Sequence, residues 1–585
     1  MPASAWASDL TAIDAKDWNA DRAAHLLERA GFGGTPEEIA AFAAMTPQQA
    51  VRRLVHFQTV DNSALKPFDH SGIFDPGLDP FPVSRPATTD QAKTQGEALG
   101  VKVKTSGNRR MQPVVNKFFY WLRASRLETD RVSYWWGNRM LTTQHPLEEK
   151  MALFWHGHFA NNEDKVRDYR KLLQQLELFQ TKGTGNFRDL MISVAQDPAM
   201  LAFLDAANNV KGAPNENFAR EIMELFTMGV GNYTETDIRE AARAFTGWDY
   251  RDLTFQILPE RHDDGVKNVL SNSGNYDGVA VIDIILQQPV TAEFLAAKIY
   301  RFFVREDITP AMRKQLGAVL RDNKYEIAPL LQTMFLSKDF YSPESVGAHI
   351  KGPVELVVST YKKLGVRELP GVPDFNDVTA ELGQHLFHPP TVAGWAQGRS
   401  WVTPGLLIER GNFAQDVVFP DVNFIPGDRY PIYGTGDEIR AVHERIRAGY
   451  DISSATKPVG KDDQGGMAMS NMMADRDEDF NTRFASYRGW QMAIERVKPI
   501  PRTAVQIDLT EMVTAAGCKT TGEVVDYLSH RLMSVPLDAQ TRERLSGFLA
   551  KELGSDRLAG SETYLEDPLR VLVHLIMSLP EYQLG

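Results

Sequence analysis

The spacing of apolar residues predicts a mostly helical chain. Between Asp21 and Ala30 they recur every three or four residues, which places them on one face of a helix. Thr35, Pro36 and Glu38 then supply an N-cap, a first-turn proline and a capping-box acceptor for a second helix. The two segments together predict a helical hairpin near the N-terminus.

Most of the chain repeats this spacing, and only residues 251–257 alternate like a short, isolated strand. The further helical segments are Asn116–Leu141, Pro146–Trp155, Tyr169–Phe179, Phe187–Gln196, Asn217–Met228, Thr236–Phe245, Asp283–Ile285, Thr291–Phe303, Pro310–Leu320, Ile327–Leu336, Asn481–Val497 and Thr521–Leu584. The predicted fold class is therefore mostly α, an irregular multi-helix globular architecture with long loop insertions and at most minor β structure.

Breaks in the periodicity predict the domain organisation. Residues 61–115 and 416–480 are rich in Pro, Gly and Asp, and the second segment also holds a cluster of methionines; each is either a lid or a passive loop. The predicted units are an N-terminal helical hairpin (1–60), a long irregular loop (61–115), a helical core (116–415), an irregular Gly/Pro/Met-rich insertion (416–480) and a helical closing unit packed on the core (481–585).

Composition narrows the class of protein. With 585 residues, 43% hydrophobic and 24% charged, the chain is typical of a soluble globular protein with two or three domain-sized units. The net charge of -12 argues against nucleic acid as a partner, because phosphate binding requires concentrated Lys and Arg. Cys518 is the only cysteine, which excludes an intrachain disulfide and a thiolate metal site within one chain.

The N-terminus carries neither the basic segment nor the apolar segment of a signal peptide. No window approaches the roughly 18 apolar residues of a membrane helix, so no membrane span is expected. The chain as given is therefore predicted to be cytoplasmic. It would be exported if a signal had been removed, and Ala5, Trp6 and Ala7 would fit the end of such a signal.

The main candidate for chemistry is the segment 154–159, in which His156 and His158 flank a glycine directly after an apolar helix. On a continuous helix, residues two apart point about 200° apart, so the imidazoles share a ligand only if the chain becomes extended at that glycine. Asn161, Glu163 or Asp164 could then add an oxygen ligand for a divalent ion, and Glu163 is the predicted one. Alternatively, one histidine caps the helix and the other packs against Trp155.

Two further segments offer catalytic side chains. Glu221 lies at the edge of an apolar helical face, where a half-buried carboxyl can act as a general acid or base; the alternative is an ion pair with an arginine. His262 and Lys267 lie in a compact polar segment and could supply a general base and an anion clamp. The alternative for that segment is a solvated turn around Gly265.

Aromatic residues suggest a substrate surface. Trp395 and Trp401 follow His385 and His388 and offer faces of the kind on which sugars stack, although buried tryptophans commonly belong to the core. They are the predicted substrate-binding residues, with a polysaccharide as the expected substrate.

Several of these segments together resemble the DUF1800 family, a bacterial domain of unknown function. The likeness covers roughly residues 20–415 and the final 576–584, and it is carried by Arg22–Gly33, Phe154–Phe159, Asn217–Gly229, Ala244–Trp248, His262–Lys267, Val392–Trp395, Trp401 and Asn412–Phe413. The resemblance implies a predominantly helical protein. It also implies a possible partner, because members are often encoded beside a DUF1501 protein, itself related to the alkaline phosphatase and sulfatase superfamily.

The candidate residues predict an enzyme, a hydrolase or lyase that acts on a carbohydrate or other polar polymer through a His/Glu cleft, with possible assistance from a divalent metal. In this prediction His156, His158 and Glu163 bind the metal, and Glu221, His262 and Lys267 carry the catalysis. The alternative is a non-catalytic partner or scaffold for a DUF1501-like enzyme, in which the same side chains form a structural polar network.

Overall fold

Thr35 shows how side chains cap the N-termini of the helices in this protein. Its hydroxyl accepts a hydrogen bond from the Glu38 N–H, and the Glu38 carboxylate accepts one from the Thr35 N–H, with Pro36 in the first turn. Thr46 and Gln49 repeat this capping box one helix later. The computed structural model describes residues 4–74, 112–421 and 492–585, and in these the fold is mostly α, as predicted.

Short loops connect the helices, and two small antiparallel hairpins are the β structure of the described residues. The helices up to the second hairpin are α1 (Ala20–Ala30), α2 (Pro36–Ala43), α3 (Pro47–Val55), α4 (Gln112–Thr142), α5 (Pro146–His158), α6 (Glu163–Val166), α7 (Tyr169–Lys182), α8 (Phe187–Ala195), α9 (Pro198–Phe203), α10 (Asn217–Glu221) and α11 (Glu235–Ala244). The strands are β1 (Trp248–Arg251), β2 (Thr254–Ile257), β3 (Lys267–Val269) and β4 (Asn272–Gly274).

The helices after the hairpins are α12 (Gly278–Leu286), α13 (Pro289–Phe303), α14 (Pro310–Asp322), α15 (Ile327–Leu336), α16 (Pro353–Lys363), α17 (Phe375–Glu381), α18 (Pro404–Val418), α19 (Leu509–Ala515), α20 (Thr521–Leu532), α21 (Ala539–Leu553) and α22 (Glu566–Met577). Helical turns of 3₁₀ type lie at Ala15–Asp17, Phe57–Thr59, Ala206–Asn208, Pro259–Arg261, Asp339–Tyr341, Gly398–Val402 and Pro580–Gln583.

The long helix α4 lies at the centre of the fold and packs against α5, α7, α16 and α17. Trp121 and Trp136 on this helix are almost completely buried. Burial of such large apolar side chains is the main favourable term in folding, at roughly 25 cal/mol per Å². Helix α4 therefore holds the elements that bear the candidate site in fixed positions.

Buried ion pairs join the first helix to the middle of the chain. Glu28 of α1 contacts Lys363 at 2.9 Å and Lys351 at 3.5 Å, and Lys150 of α5 pairs with Glu355 of α16. Removing one partner of such a pair leaves an uncompensated buried charge, which typically costs about 3–5 kcal/mol. These contacts fix α1, α5 and α16 relative to one another.

The C-terminal helices pack on the core. Arg410 of α18 donates hydrogen bonds to the Gln583 side chain at 2.8 Å and to the Lys351 carbonyl at 2.7 Å, and Arg570 of α22 donates to the Val418 carbonyl at 2.6 Å. Helix α18 extends to Val418 and so crosses the boundary expected at residue 415.

Three local expectations differ from the structure. The strand expected over 251–257 is a hairpin, since Arg251 is the last residue of β1 and pairs with Thr254 of β2. The helix expected over 217–228 changes at Ile222 from α-helix to a π-helix that ends at Met228. The extended chain at Gly157, on which a shared ligand for His156 and His158 depended, does not occur, because α5 continues to His158.

Most of the two irregular segments, 61–115 and 416–480, and residues 481–491 of the closing unit lie outside the described residues. Within the described parts of the chain, no single helix is long and apolar enough to cross a membrane. Helices α12 and α13 meet that test only as a pair bent by 79°.

Candidate metal centre

His156 and His158 point to different sides of α5 because the helix is continuous at Gly157. Both imidazoles are buried, and they have different hydrogen-bond partners. The condition under which they would share a ligand, an extended chain at the glycine, is therefore not met. Their role in metal binding stays a prediction, and each histidine has its own structural setting.

His158 uses both ring nitrogens within the fold. Its Nε2–H donates to the Phe226 carbonyl at 3.0 Å, and its Nδ1 accepts from the Lys298 ammonium at 3.2 Å. The ring stacks on Phe154 and contacts Trp155. Burial holds the pKa of His158 well below its usual range, so the ring is neutral. His158 thus satisfies a carbonyl at the end of the π-helix.

His156 instead contacts the turn between α17 and α18. Its Nε2 accepts a hydrogen bond from the Phe387 N–H at 3.0 Å, and its ring packs against those of Trp136 and Trp395. Burial lowers the pKa of His156 to about 3. A neutral imidazole that accepts at Nε2 carries its proton on Nδ1, so the Nε2 lone pair is already engaged.

The backbone of Phe387 is held on both sides. Its N–H donates to His156, and its carbonyl accepts from the Glu163 N–H at 2.9 Å. Nearby, the Asn162 side chain donates to the Pro389 carbonyl at 3.0 Å. Phe387 itself has a φ of 63°, a left-handed conformation that side chains rarely adopt and that costs of order 1–3 kcal/mol. The surrounding contacts therefore impose a strained turn.

That turn brings His385 and His388 to a group of carboxylates. Ligand atoms of Asp130, His385 and His388 lie within 4.8 Å of one another, as do those of Glu163, Asp164 and His388. We call these five residues the His388 cluster. Asp130 comes from α4, Glu163 and Asp164 from α6, and the histidines from the turn after α17.

The protonation states of the cluster suit a cation. Burial and the nearby Arg126 lower the pKa of His385 to about 4, and burial with the neighbouring His385 lowers that of His388 to about 2. Both imidazoles are therefore neutral at pH 7, the state in which a nitrogen can bind a metal. Burial raises the pKa of Glu163 to about 7, because its carboxylate lies out of water.

Several buried polar atoms in this region have no hydrogen-bond partner among the described residues. They include Oε1 of Glu163, Nε2 of His388 and both side-chain polar atoms of Asn161. An unsatisfied buried polar group costs about 1–3 kcal/mol, and native proteins contain few of them. Imidazole nitrogen and carboxylate oxygen are the donors that borderline divalent ions such as Zn²⁺ prefer. The residues present therefore fit such an ion.

Glu221 lies elsewhere, at the junction of α10 and the π-helix. Burial raises its pKa, and the nearby Glu224 acts in the same direction. The neighbouring Arg220 contacts Glu216 and Glu235, not Glu221. The raised pKa is compatible with acid or base chemistry, but no hydrogen bond or ion pair among the described residues joins Glu221 to the His388 cluster.

His262 and Lys267 belong to an ordered turn. His262 Nδ1–H donates to the Thr246 carbonyl at 2.8 Å, and the buried Lys267 ammonium donates to the Asp263 carbonyl and to Asn275. Asp263 in turn pairs with Arg243 at 2.8 Å. These hydrogen bonds and the ion pair make the segment an ordered structural turn. The turn has more internal contacts than the solvated turn that was the alternative. Its catalytic roles stay predictions.

Trp395 and Trp401 are both buried, with exposed fractions of 8% and 6%. They line a cavity of about 30 Å³ together with Gly157, His349 and Gln384. A cavity of this size holds about one or two water molecules and not a sugar ring. Stacking of a sugar on these indoles would therefore require the 394–401 segment to move.

The sequence predicted a substrate surface in residues 385–401 because of their tryptophans. It did not predict that Asp130, His385 and His388 lie together. The signal in the sequence is weak. His385 and His388 are three residues apart, and their convergence depends on the left-handed turn at Phe387 and on contacts with residues more than 200 positions away.

Comparison with protein-family models gives a match to DUF1800, described as a protein of unknown function, over residues 25–584. The chain therefore belongs to the DUF1800 family. The match covers nearly the whole chain and so also includes the residues between 415 and the closing segment 576–584. No curated protein and no solved structure gave a match.

Proposed function

We propose that this protein is a metal-dependent enzyme, a hydrolase or lyase acting on a carbohydrate or other polar polymer, with the His388 cluster as its centre. The observation that carries the proposal is that two triads of potential ligands share His388, one with Asp130 and His385 and the other with Glu163 and Asp164, while Glu163 Oε1 and His388 Nε2 have no partner within the described residues. A divalent ion would satisfy both atoms.

The cluster borders solvent, since the Asp164 side chain is 64% exposed. A metal held by these residues would polarise the substrate and lower the pKa of a water molecule, which is the chemistry that hydrolysis needs. Glu163 would take a proton from the water as the water oxygen bonds to the electrophilic carbon, and it would pass that proton to the leaving oxygen as its bond to carbon breaks. The proposal thus transfers the role of base from Glu221 to the cluster.

Metal analysis tests this function. Metal-free protein is dialysed against Zn²⁺ or Mn²⁺, and bound metal is measured by mass spectrometry for the wild type, His388→Ala and His262→Ala. The last variant is a matched control, because His262 is a part-buried histidine whose hydrogen-bond partner is Thr246, and no ligand group found in the described residues includes it. We expect one to two ions per chain in the wild type and the control, and a loss of at least tenfold in affinity for His388→Ala.

Enzymatic activity is then measured on the same proteins. Metal-loaded wild type is incubated with a panel of polysaccharides, and new reducing ends or unsaturated products are measured before and after chelation. Equal and negligible metal content in all three proteins would refute the proposal. It would favour the alternative, a non-catalytic partner of a DUF1501-like enzyme in which the cluster is a structural polar network.

A further inference from the structure

Arg126 lies beside the His388 cluster on the same helix as Asp130. The two residues are four positions apart on α4 and so share a face. Arg126 Nη1 lies 3.7 Å from Asp164 Oδ1, longer than a hydrogen bond, and its side chain is 31% exposed. Its guanidinium has no hydrogen-bond partner among the described residues.

The charge of Arg126 is close to most of the cluster. It contributes to the lowered pKa of His385 and of His388, and it opposes the effect of burial on Glu163. A fixed cation next to a metal site weakens metal binding by Coulomb repulsion. The ion pair with Asp164 balances part of this charge, but it leaves the N–H donors of the guanidinium without a hydrogen-bond acceptor among the described residues.

An oxyanion of the substrate would provide the acceptor that these N–H donors lack. The guanidinium is a planar group with five N–H donors in a fork that matches carboxylate, sulfate and phosphate. With an ion in the cluster, a substrate oxyanion would lie between two positive groups, one of which is partly exposed and has donors to spare. A neutral substrate would leave those donors without an acceptor other than water.

We propose that Arg126 binds an oxyanion of the substrate beside the metal, so that the polymer on which this centre acts is acidic and carries carboxylate, sulfate or phosphate groups. This inference rests on the proposed metal centre. It makes Arg126 the residue that determines specificity for charged over neutral substrates.

The variants Arg126→Gln and Arg126→Lys test the inference separately from the metal centre. Arg220→Gln is the control, because Arg220 pairs with Glu216 and Glu235 and no ion pair among the described residues joins it to the His388 cluster. Zn²⁺ affinity is measured first by titration. The binding of glucuronate, inorganic sulfate and inorganic phosphate to Zn²⁺-loaded protein is then measured by calorimetry, with glucose as the neutral probe.

We expect Arg126→Gln to bind Zn²⁺ at least as tightly as the wild type, because a repelling charge has been removed, and to bind the preferred anion at least tenfold more weakly. Arg126→Lys should retain part of that affinity, and Arg220→Gln all of it. The anion bound best identifies the acidic group.

The outcomes separate the two proposals. Zn²⁺ binding with anion affinity unchanged in Arg126→Gln would overturn the role of Arg126 and leave the metal centre standing. The role of Arg126 would also be overturned, with the metal centre left standing, if the wild type binds Zn²⁺ but binds glucose as tightly as it binds any anion. Failure of the wild type to bind any metal would overturn both.

Discussion

His156 Nε2 accepts a hydrogen bond from the Phe387 N–H at 3.0 Å, and this bond ties the end of α5 to the turn that bears His385 and His388. The bond is buried and joins residues 231 positions apart. The Glu163 N–H completes the arrangement by donating to the Phe387 carbonyl. His156 and Glu163, which the sequence predicted to bind metal, therefore position this turn. The turn bears two other candidate ligands, His385 and His388.

Replacing His156 by Phe should destabilise the protein and weaken the cluster together. The Phe387 N–H would lose its acceptor in a buried setting, and we expect the free energy of unfolding to fall by about 1–3 kcal/mol. Zn²⁺ affinity should fall because the turn is no longer fixed. Urea unfolding and zinc titration check this, and unchanged zinc affinity in a folded His156→Phe protein would contradict the positioning role.

Replacing Glu163 by Gln should have opposite effects on stability and metal binding. The amide keeps the shape of the side chain and removes a carboxylate that burial disfavours, as its pKa of about 7 indicates. At pH 8 without metal, we expect the free energy of unfolding to rise by about 3 kcal/mol. Zinc should then stabilise this variant less than the wild type. Asp164→Asn is the exposed control, with little expected change in metal-free stability.

Buried neutral histidines should make the protein sensitive to mild acid. Burial lowers the pKa of His25 to about 3, against about 6.5 when unfolded, while its Nε2–H donates to the Phe340 carbonyl. Below pH 6.5 the unfolded chain binds a proton that the folded protein does not, so stability is lost as the pH falls from 6.5 towards 3.

His25→Phe isolates the contribution of that histidine. Between pH 7 and pH 5 the wild type should lose about 2 kcal/mol through His25 alone, and the variant should lose correspondingly less. Denaturant unfolding of both proteins at the two pH values measures the difference. An equal loss in both would show that His25 does not contribute.

Arg243 should contribute more to stability than a similar surface arginine. It donates to Asp263, Glu240 and the Val266 carbonyl, and its side chain is 25% exposed. We expect Arg243→Met to lower the free energy of unfolding by about 2 kcal/mol and to speed hydrogen exchange in residues 259–267. Arg220→Met, whose partner Glu235 is 67% exposed, should cost less than about 1 kcal/mol.

Local rules predicted the helices well. Thr35, Pro36 and Glu38 form the expected capping box, and Ile327–Leu336 is a helix with the expected bounds. Both depend on contacts within a few residues, which the sequence specifies directly. The fold class followed because such segments fill most of the described chain.

The site could be predicted only in part. The sequence predicted Glu163 as a metal ligand together with His156 and His158, because a glycine between two histidines resembles a helix end. Helix α5 continues there because packing of Trp155 and Phe159 around it outweighs the low helix propensity of one glycine, about 1 kcal/mol. The actual neighbour, His388, is brought near by tertiary contacts that no local pattern encodes.

The π-helix at Ile222–Met228 makes this part of the chain sensitive to its length. Such a helix holds one residue more than an α-helix of the same rise, and here the Thr227 hydroxyl donates to the Ile222 carbonyl five positions back. Deleting one residue would leave a regular α-helix of the same rise with narrower turns. The Phe226 and Leu225 carbonyls accept hydrogen bonds from His158 and Lys298, so the wider turn carries the contacts that join this segment to the end of α5. The extra residue in this segment therefore sets the width of the helix that meets α5.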